Sequence, residues 1–209
     1  MNTSKEEMIS LQLEKRGINN HRVLRAMQEV DRVHYIPDDM KHKAYDDSPL
    51  PIGKGQTISQ PYIVGYMAQH LQLQPEETVL EIGTGCGYNA AVLSQLAKEV
   101  YSIEIVDWLH EYAVENLNNT GIKNVHTRNA DGYTGWPEKA PFDAIVLTAA
   151  PPEVPETLKE QLKIGGRLLA PVGRKSQELV IITREGKNTF REKTLLLVNF
   201  VPMTGDAQK

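Results

Sequence analysis

Cysteine is almost absent from this chain, since Cys86 is the only one among 209 residues. An internal disulfide bond is therefore excluded, and such low usage is typical of a protein from a reducing compartment. The first ten residues, MNTSKEEMIS, carry acids where a signal peptide would have an apolar region, so we expect a cytoplasmic location. No apolar run approaches the roughly 20 residues of a membrane-spanning helix, and we expect no membrane partner.

Positive charge and metal-ligating patterns are also scarce. Lys and Arg number 23 against 27 Asp and Glu, for a net charge of −4. This balance argues against a dedicated nucleic-acid-binding protein. The six histidines form no H-x-x-x-H pair, and none lies near a second soft ligand, so we expect no metal site. The hydrophobic fraction of 40% is ordinary for a globular protein, and the length suffices for one sizeable core.

The most informative stretch is residues 79–92, VLEIGTGCGYNAAV. A short apolar run is followed by a glycine-rich segment and then by a pattern that predicts a helix, which is typical of the start of a nucleotide-binding α/β unit. Glycines let backbone N–H groups approach a ligand, and the helix N-terminus adds partial positive charge there. Because Gly85, Gly87 and Ala90 also fit a dinucleotide pattern, the glycines alone do not identify the ligand.

Glu81, at the end of the first strand, favours one of the two ligands. A carboxylate beside the glycines would repel an anionic pyrophosphate. The same carboxylate suits a ligand that carries an ammonium and a sulfonium group, as S-adenosylmethionine does. We therefore interpret the loop as a site for a cationic adenosyl compound.

From Thr78 onward, strand and helix patterns alternate, which predicts a three-layer α/β/α fold around a mostly parallel sheet. Only the segment from Arg184 to Thr194 separates the last two strand patterns, so we expect these strands to be antiparallel at one edge. About seven strands are predicted, at 78–82, 99–104, 125–129, 143–148, 167–172, 178–184 and 194–202. Helices are predicted in this part at 87–97, 107–119 and 154–163.

The first third of the chain has a different organisation. Residues 44–61 contain several prolines and glycines and show no periodicity, and we interpret them as a long ordered loop because they also carry apolar residues. We expect a single domain over residues 1–209, with an N-terminal helical addition and active-site loop at 1–75 and the α/β core at 76–209. The N-terminal helices are predicted at 4–16, 20–31 and 61–71.

Three acids fall at the predicted carboxyl ends of strands, where open parallel sheets bind their ligands: Glu81, Glu104 and Asp131. Glu104 follows Glu81 at close to the interval of about 20 residues at which an acid reaches the ribose hydroxyls of a nucleotide. Asp131, with Gly132, is placed to meet the adenine amino group. Each could instead be a solvated acid, but three in register with a glycine loop favour a nucleotide site.

With these residues in place, the chain resembles the protein-L-isoaspartate O-methyltransferase family over nearly its whole length. The segment GQTIS at 55–59 and the ending FVPMTG at 200–205 are specific to this family among methyltransferases. The chain departs from the family pattern at Cys86, usually Ser, at Asn89, usually Gln, and at Ala130, usually Gly. Further similar segments are AYDDSPLPIGKGQTISQPYIV at 44–64, IPD at 36–38, APFDAIVLTAA at 140–150 and QLKIGGRLLAPVG at 161–173.

The resemblance implies a Rossmann-like class I methyltransferase with additional N-terminal helices. Its implied activity is transfer of a methyl group from S-adenosyl-L-methionine to the α-carboxylate of L-isoaspartyl residues in damaged proteins and peptides. The products are S-adenosyl-L-homocysteine and an ester that starts repair through a succinimide. We expect isoaspartyl proteins and peptides as substrates and a monomeric enzyme.

The resemblance also assigns roles to individual residues. Ser59 matches the family's active-site serine, although by position alone it could merely cap the next helix. Val201, which could equally be ordinary strand core, matches a residue whose backbone pairs with the substrate peptide. The implied substrate-binding residues are Ile58, Ser59 and Val201. The implied donor-binding residues are Thr57, Ile58, Ser59, Glu81, Gly83, Thr84, Gly85, Glu104, Ile105, Asp131, Gly132 and Thr204.

Two alternatives remain open from the sequence. The first is a methyltransferase that acts on another acceptor, such as a small molecule or RNA. The second is a module that binds S-adenosylmethionine or a peptide without turnover. Methyl transfer to an isoaspartyl peptide, compared with the matching aspartyl peptide, separates these possibilities.

Overall fold

The computed structural model describes residues 3–208, and a seven-stranded sheet forms its centre. The sheet order is β5-β4-β3-β6-β7-β8-β9, in which neighbouring strands are parallel up to β7 and antiparallel from β7 to β9. This confirms the predicted mostly parallel sheet with an antiparallel edge. The strands of the described residues are β1 Leu50–Gly53, β2 Gln56–Ile58, β3 Thr78–Ile82, β4 Glu99–Glu104, β5 Val125–Asn129, β6 Phe142–Leu147, β7 Leu162–Val172, β8 Gln177–Arg184 and β9 Phe190–Val198.

Helices cover both faces of the sheet, which explains why the central strands β3 and β6 are almost continuously apolar and buried. The first predicted helix is a continuous helical segment that begins as α1, Lys5–Glu7, and continues through a π-helical and a 3₁₀ stretch to Arg16. Helix α2, His21–Glu29, is capped by the Asn20 side chain, which accepts from the backbone N–H groups of Arg22 and Val23. The other helices are α3 Pro61–Leu71, α4 Tyr88–Ser94, α5 Asp107–Asn119 and α6 Glu156–Glu160.

The segment 44–61, interpreted as an irregular loop, contains a small antiparallel hairpin of β1 and β2. Leu50 and Ile52 alternate buried with exposed neighbours, but strands of four and three residues are too short for a period to be recognised in the sequence. Gly53, Lys54 and Gly55 form the turn, all with positive φ angles. The hairpin lies over the carboxyl end of the sheet, because Ile52 faces the glycine-rich loop at Gly85.

Several boundaries near the C-terminus differ from the prediction, since β7 begins at Leu162 instead of 167 and β9 at Phe190 instead of 194. Helix α6 is shorter than predicted, because the chain enters β7 at Leu162, which pairs with Phe142 of β6. Strand β9 ends at Val198 instead of 202. Beyond β9, the Gln177 side-chain amide forms hydrogen bonds with both the N–H and the carbonyl oxygen of Phe200. Pro202 then forms an isolated parallel β-bridge with Ala150.

The N-terminal helices and one face of the sheet share a continuous hydrophobic core that extends from Leu13 to Leu179. Arg22 of α2 donates to the carbonyl oxygens of Leu73 and Leu96, at 2.5 and 2.7 Å, and so joins this addition to two other segments. Arg167 of β7 donates to the carbonyl oxygens of Leu71 and Gln72 and forms an ion pair with Glu77. Within residues 3–208, no helix has the length and apolarity needed to cross a membrane.

Candidate active site

Two adjoining clefts lie at the carboxyl end of the sheet, beneath the β1–β2 hairpin. The inner cleft is lined by the hairpin, the glycine-rich loop, the ends of β4 and β6 and the C-terminal segment: Gln56, Thr57, Ile58, Ser59, Val64, Ile82, Gly83, Thr84, Gly85, Cys86, Tyr88, Asn89, Ile103, Glu104, Ile105, Val106, Leu109, Gly132, Thr148, Ala149, Val201, Pro202, Met203 and Thr204. The outer cleft is lined by Pro49, Thr57, Ser59, Gln60, Ile63, Thr148, Leu197, Val198, Asn199, Phe200 and Val201. Thr57, Ser59, Thr148 and Val201 belong to both clefts, so the two clefts are continuous.

The glycine-rich loop approaches its neighbours too closely for side chains at Gly83. This residue has a φ of 97°, and a Cβ there would collide with Oγ1 of Thr148. The Thr148 hydroxyl instead donates to the Gly83 carbonyl oxygen at 2.5 Å. Gly87, also with a positive φ, precedes α4 and ends the loop. Gly83, Thr84 and Gly85 line the inner cleft, but their backbone N–H groups bond within the protein, to the Ile103 carbonyl oxygen and to the Glu104 carboxylate.

Glu104 supplies the negative charge of the inner cleft. Its side chain accepts from the backbone N–H groups of Gly85, at 2.8 Å, and Val106, at 2.9 Å. These two bonds fix the carboxylate, whose remaining lone pairs can accept from a ligand. Among the described lining residues, Glu104 is the charged one, and no Lys, Arg or His accompanies it. The cleft consequently suits a ligand that is positively charged and carries hydroxyl donors.

Glu81 does not line the cleft, although the sequence predicted it as a donor-binding residue. Its carboxylate is completely buried and accepts from Asn89 Nδ2, at 2.8 Å, and from the Ser102 hydroxyl, at 2.5 Å. Burial raises the pKa of Glu81 to about 7, against the effect of these hydrogen bonds and with a further contribution from the Glu104 charge. Glu81 thus supports the loop from below, and the argument that its charge selects the ligand applies instead to Glu104.

Asp131 is likewise absent from the lining, whereas its neighbour Gly132 is present. The Asp131 carboxylate accepts from the backbone N–H of Tyr133, at 2.9 Å, and from that of Asp206, at 2.8 Å. It therefore caps a short 3₁₀ turn and holds the C-terminal segment. Gly132 packs so closely on Ile82 that a Cβ would collide with that side chain.

The other predicted residues come together as expected. The cleft brings in Thr57, Ile58 and Ser59 from the hairpin side, while Val201 and Thr204 enter from the opposite side. The Val201 carbonyl oxygen accepts from the Ala150 N–H, at 2.8 Å. The remaining predicted residues that line the cleft are Gly83, Thr84, Gly85, Glu104, Ile105 and Gly132.

Sequence reasoning missed Thr148, which lines both clefts and supports Gly83. The signal was available, because Thr148 directly follows β6 and so occupies the same kind of strand-end position as the acids. Tyr88 and Met203 could not have been recognised in this way, since their positions in the cleft depend on tertiary packing. Cys86 is buried, and burial raises the pKa of its thiol to about 11, so the thiolate that would be reactive is not populated at neutral pH.

The strand order, the backbone-lined glycine turn at the end of β3 and the acid at the end of β4 define a class I methyltransferase that uses S-adenosylmethionine. The residues of the inner cleft fit this donor, because Glu104 can accept from ribose hydroxyls and its charge suits a sulfonium compound.

Comparison with known proteins specifies the family. The family model for protein-L-isoaspartate(D-aspartate) O-methyltransferase matches residues 3–208. A protein-L-isoaspartate O-methyltransferase of Opitutus terrae is 53% identical over 203 residues, which cover 96% of this chain and 86% of that protein. A solved protein-L-isoaspartate O-methyltransferase structure superposes with a TM-score of 0.87 at 30% identity, covering 98% of this chain and 67% of that one. A further structure, a beta-aspartate methyltransferase from Plasmodium falciparum in complex with S-adenosyl-L-homocysteine, has a TM-score of 0.86 at 27% identity and covers 98% and 99% of the two chains.

The chain therefore belongs to the protein-L-isoaspartate(D-aspartate) O-methyltransferase family. This confirms the predicted family, enzyme class and methyl donor. It also confirms the predicted activity, the methylation of isoaspartyl residues for protein repair.

Proposed function

We propose that the inner cleft binds the methyl donor and that the outer cleft admits the isoaspartyl segment, with Ser59 as the catalytic residue between them. Ser59, Thr57, Thr148 and Val201 line both clefts, and this shared boundary is where donor and acceptor can meet. When bound, the donor supplies an electrophilic methyl group on a sulfonium that leaves as a neutral thioether. The acceptor is an α-carboxylate, and its ester starts repair through a succinimide.

The residues of the inner cleft divide into three groups by what they can offer. Glu104 accepts from the ribose hydroxyls, and Ile105 and Gly132 flank the base. The backbone of Gly83, Thr84 and Gly85 faces the amino-acid part of the donor, and Thr57, Ile58 and Thr204 close the cleft from above. Glu81 and Asp131 contribute indirectly, because their carboxylates hold the loop and the C-terminal segment in place.

The chain does not need a general base for this reaction. A carboxylate has a pKa of about 4, so the nucleophile is already ionised at pH 7. The demand on the protein is to orient the carboxylate oxygen toward the methyl group and to exclude water. This agrees with the absence of Lys, Arg and His among the described residues that line either cleft.

The observation that carries the proposal is the state of the Ser59 hydroxyl. Within residues 3–208 it has no hydrogen-bond partner, although Ser59 is only partly exposed and lies where the clefts join. An unengaged hydroxyl at this point can donate to an incoming carboxylate and fix its orientation. No Lys, Arg or His among the described lining residues competes with this hydroxyl for the carboxylate.

We expect Ser59→Ala to lower kcat for an isoaspartyl peptide by more than tenfold, because the carboxylate loses its orienting donor. Affinity for S-adenosyl-L-homocysteine, measured by titration calorimetry, should change less than threefold. Ser48→Ala is the matched control, since Ser48 belongs to the same segment and lines neither cleft. Equal turnover in the two variants would remove Ser59 from the catalytic role.

The activity itself is tested with paired peptides that differ only in carrying isoaspartate or aspartate. The wild-type enzyme should form a base-labile methyl ester on the first peptide alone. Methylation of neither peptide would contradict the assignment of the acceptor, and only the proposal that the inner cleft binds the donor would remain.

Three broader features belong to the same proposal. Residues 1–209 act as one domain, which the shared hydrophobic core of the N-terminal helices and the sheet supports. The enzyme works as a monomer, in agreement with the charged side chains Arg191, Glu192 and Lys193 along the exposed edge strand β9. We place it in the cytoplasm, which the single unpaired cysteine supports.

A further inference from the structure

Part of the outer cleft's lining is apolar, which the methyl-transfer reaction does not require. This part is formed by Pro49, Ile63, Leu197 and Phe200, which we call the apolar rim. Leu197 is 71% exposed, so its side chain buries little apolar surface and contributes little to the stability of the fold. Single exposed apolar residues are common, but Leu197 is one of six apolar residues that line the same cleft as Ser59: Pro49, Ile63, Leu197, Val198, Phe200 and Val201.

The end of β9 is built so that Leu197 faces outward. Leu195, Leu196 and Leu197 are consecutive, and a register shift in the pairing of β8 with β9 lies at this point. Leu195 and Leu196 pack against the core, whereas Leu197 does not. Irregularities of this kind redirect side chains, and Leu197, which directly follows this one, is largely exposed at the edge of the outer cleft.

The apolar rim is also held rigidly. The side-chain amide of Gln177 accepts from the backbone N–H of Phe200, at 2.6 Å, and donates to its carbonyl oxygen, at 3.0 Å. Directly afterwards, Val201 and Met203 are bonded to the backbone of Ala150. A surface that is already ordered loses little conformational entropy when a substrate side chain binds to it.

The outer cleft contains no charged residue among the described residues that line it. A charged side chain of a substrate would lose water there without gaining a partner, whereas an apolar one would bury surface favourably. Because Ser59 and the rim line the same cleft, an isoaspartate placed at Ser59 brings its sequence neighbours, at roughly 3.3–3.6 Å of extended chain per residue, toward the rim.

We propose that the apolar rim selects isoaspartyl substrates that carry a large apolar side chain within two residues of the isoaspartate, with Leu197 as the specificity-determining residue. This inference rests on the proposed placement of the acceptor at Ser59. It adds a preference among isoaspartyl sequences, which the methyl-transfer chemistry alone does not create.

The test uses isoaspartyl peptides that carry Leu, Ser or Glu at one varied position and are otherwise identical. The varied position is one or two residues before or after the isoaspartate. For the wild-type enzyme we expect kcat/KM to be about tenfold higher with Leu than with Glu at one of these positions. Peptide affinity measured by calorimetry with S-adenosyl-L-homocysteine present should show the same order, independently of turnover.

Leu197→Asn should reduce this ratio to less than threefold, because kcat/KM for the Leu peptide falls while that for the Glu peptide does not. Ile164→Asn is the matched control, because Ile164 is 68% exposed in the same sheet and lines neither cleft. An equal Leu-to-Glu ratio in wild type and Leu197→Asn would overturn the inference. Failure of every isoaspartyl peptide to react would instead contradict the proposed function.

A second copy of the chain is the other occupant that the rim could take. Sedimentation velocity of the wild type, Leu197→Asn and Ile164→Asn distinguishes this case. We expect all three to sediment as monomers. A dimer that only Leu197→Asn disrupts would overturn the inference and assign the apolar rim to self-association.

Discussion

Glu81 and Glu104 have the same side chain on adjacent strands, yet the fold gives them different environments. Glu81 pairs in register with Ser102, so the two side chains lie on one face of the sheet, where Asn89 of α4 covers them. Glu104 is two residues beyond Ser102 on the same face, and this step places it at the open end of the sheet. A displacement of about 7 Å therefore separates a supporting carboxylate from a ligand-binding one.

Replacement of each acid by its amide tests this division. Glu104→Gln should weaken S-adenosyl-L-homocysteine binding by about 10- to 100-fold, because a charged acceptor worth about 1.5–3 kcal/mol is lost. Glu81→Gln should leave this affinity within about threefold of wild type, since the carboxylate does not line the cleft. Calorimetry on both variants measures the difference, and equal losses would contradict it.

Glu81 should also make the stability of the wild type depend on pH, and Glu81→Gln should remove this dependence. Burial raises the pKa of Glu81 from 4.5 to about 7, so the folded protein binds this proton more tightly than the unfolded chain does. The contribution of Glu81 to the stability of the wild type is fully present below pH 4.5 and is lost as the pH rises through about 7. Glutamine resembles the protonated carboxyl group and does not titrate. The free energy of unfolding of Glu81→Gln relative to wild type should therefore rise over this pH range by about 3 kcal/mol.

Urea unfolding of wild type and Glu81→Gln at pH 5 and pH 8 provides the measurement. The free energy of unfolding of the variant relative to wild type should be larger at pH 8 than at pH 5. An unchanged difference would show that Glu81 is ionised in the folded protein throughout this range.

At the scale of elements, the β1–β2 hairpin covers the inner cleft and rests on α5. Gly53 lies against the Trp108 ring of α5, since a Cβ there would stand 3.1 Å from Cζ3. Trp108 also stacks on Tyr112, with ring centroids 5.3 Å apart, which fixes the surface on which the hairpin rests. Because the same hairpin carries Thr57 and Ile58 into the cleft, its seating on α5 determines how the cleft closes.

Alanine substitutions in the hairpin turn separate seating from backbone strain. Gly53 and Gly55 both have positive φ angles, 97° and 73°, so alanine strains either position by about 1 kcal/mol. Only at Gly53 does the new methyl group also press on Trp108, because nothing lies within 4 Å of a Cβ at Gly55.

We expect Gly53→Ala to raise the dissociation constant of S-adenosyl-L-homocysteine about three- to tenfold, because the hairpin is displaced from α5. Gly55→Ala should change it less than twofold. Calorimetry on both variants is the measurement. If the two variants lose affinity equally, strain in the turn and not contact with Trp108 accounts for the effect.

At the scale of the whole molecule, the N-terminal helices are part of the same cooperative structure as the sheet. Their apolar residues belong to one core with strands β3, β4, β6, β7 and β8. Arg22 bonds α2 to the chain after α3 and to the end of the α4 segment. Arg25, one turn further along α2, makes only an exposed pair with Glu29.

These two arginines provide a matched test of cooperativity. Arg22→Met should lower the free energy of unfolding by about 2 kcal/mol, because two carbonyl oxygens lose a charged donor. Arg25→Met should change it by less than about 0.5 kcal/mol, since exposed ion pairs contribute little. Urea unfolding should be one transition by both far-ultraviolet circular dichroism and tryptophan fluorescence. Separate transitions by the two signals would contradict a single cooperative unit.

The sequence by itself determined the local patterns of this protein. Alternation of strand and helix patterns predicted the parallel sheet, and the short separation before Thr194 predicted its antiparallel edge, because these features depend on chain length and periodicity. The glycine-rich loop and Glu104 were recognised because strand ends converge in any parallel sheet. The motif at Ser59 named the acceptor only through its resemblance to a family.

Only the tertiary structure decided which chemically equivalent groups face the ligand. Glu81 and Asp131 were predicted as donor contacts, but packing of α4 and of the C-terminal segment engages both carboxylates internally. The hairpin at 50–58 and the apolar rim around Leu197 likewise depend on contacts between segments far apart in sequence. Glu81 shows the physical reason: a strand end places an acid near the site, but its exposure depends on what the rest of the chain packs over it.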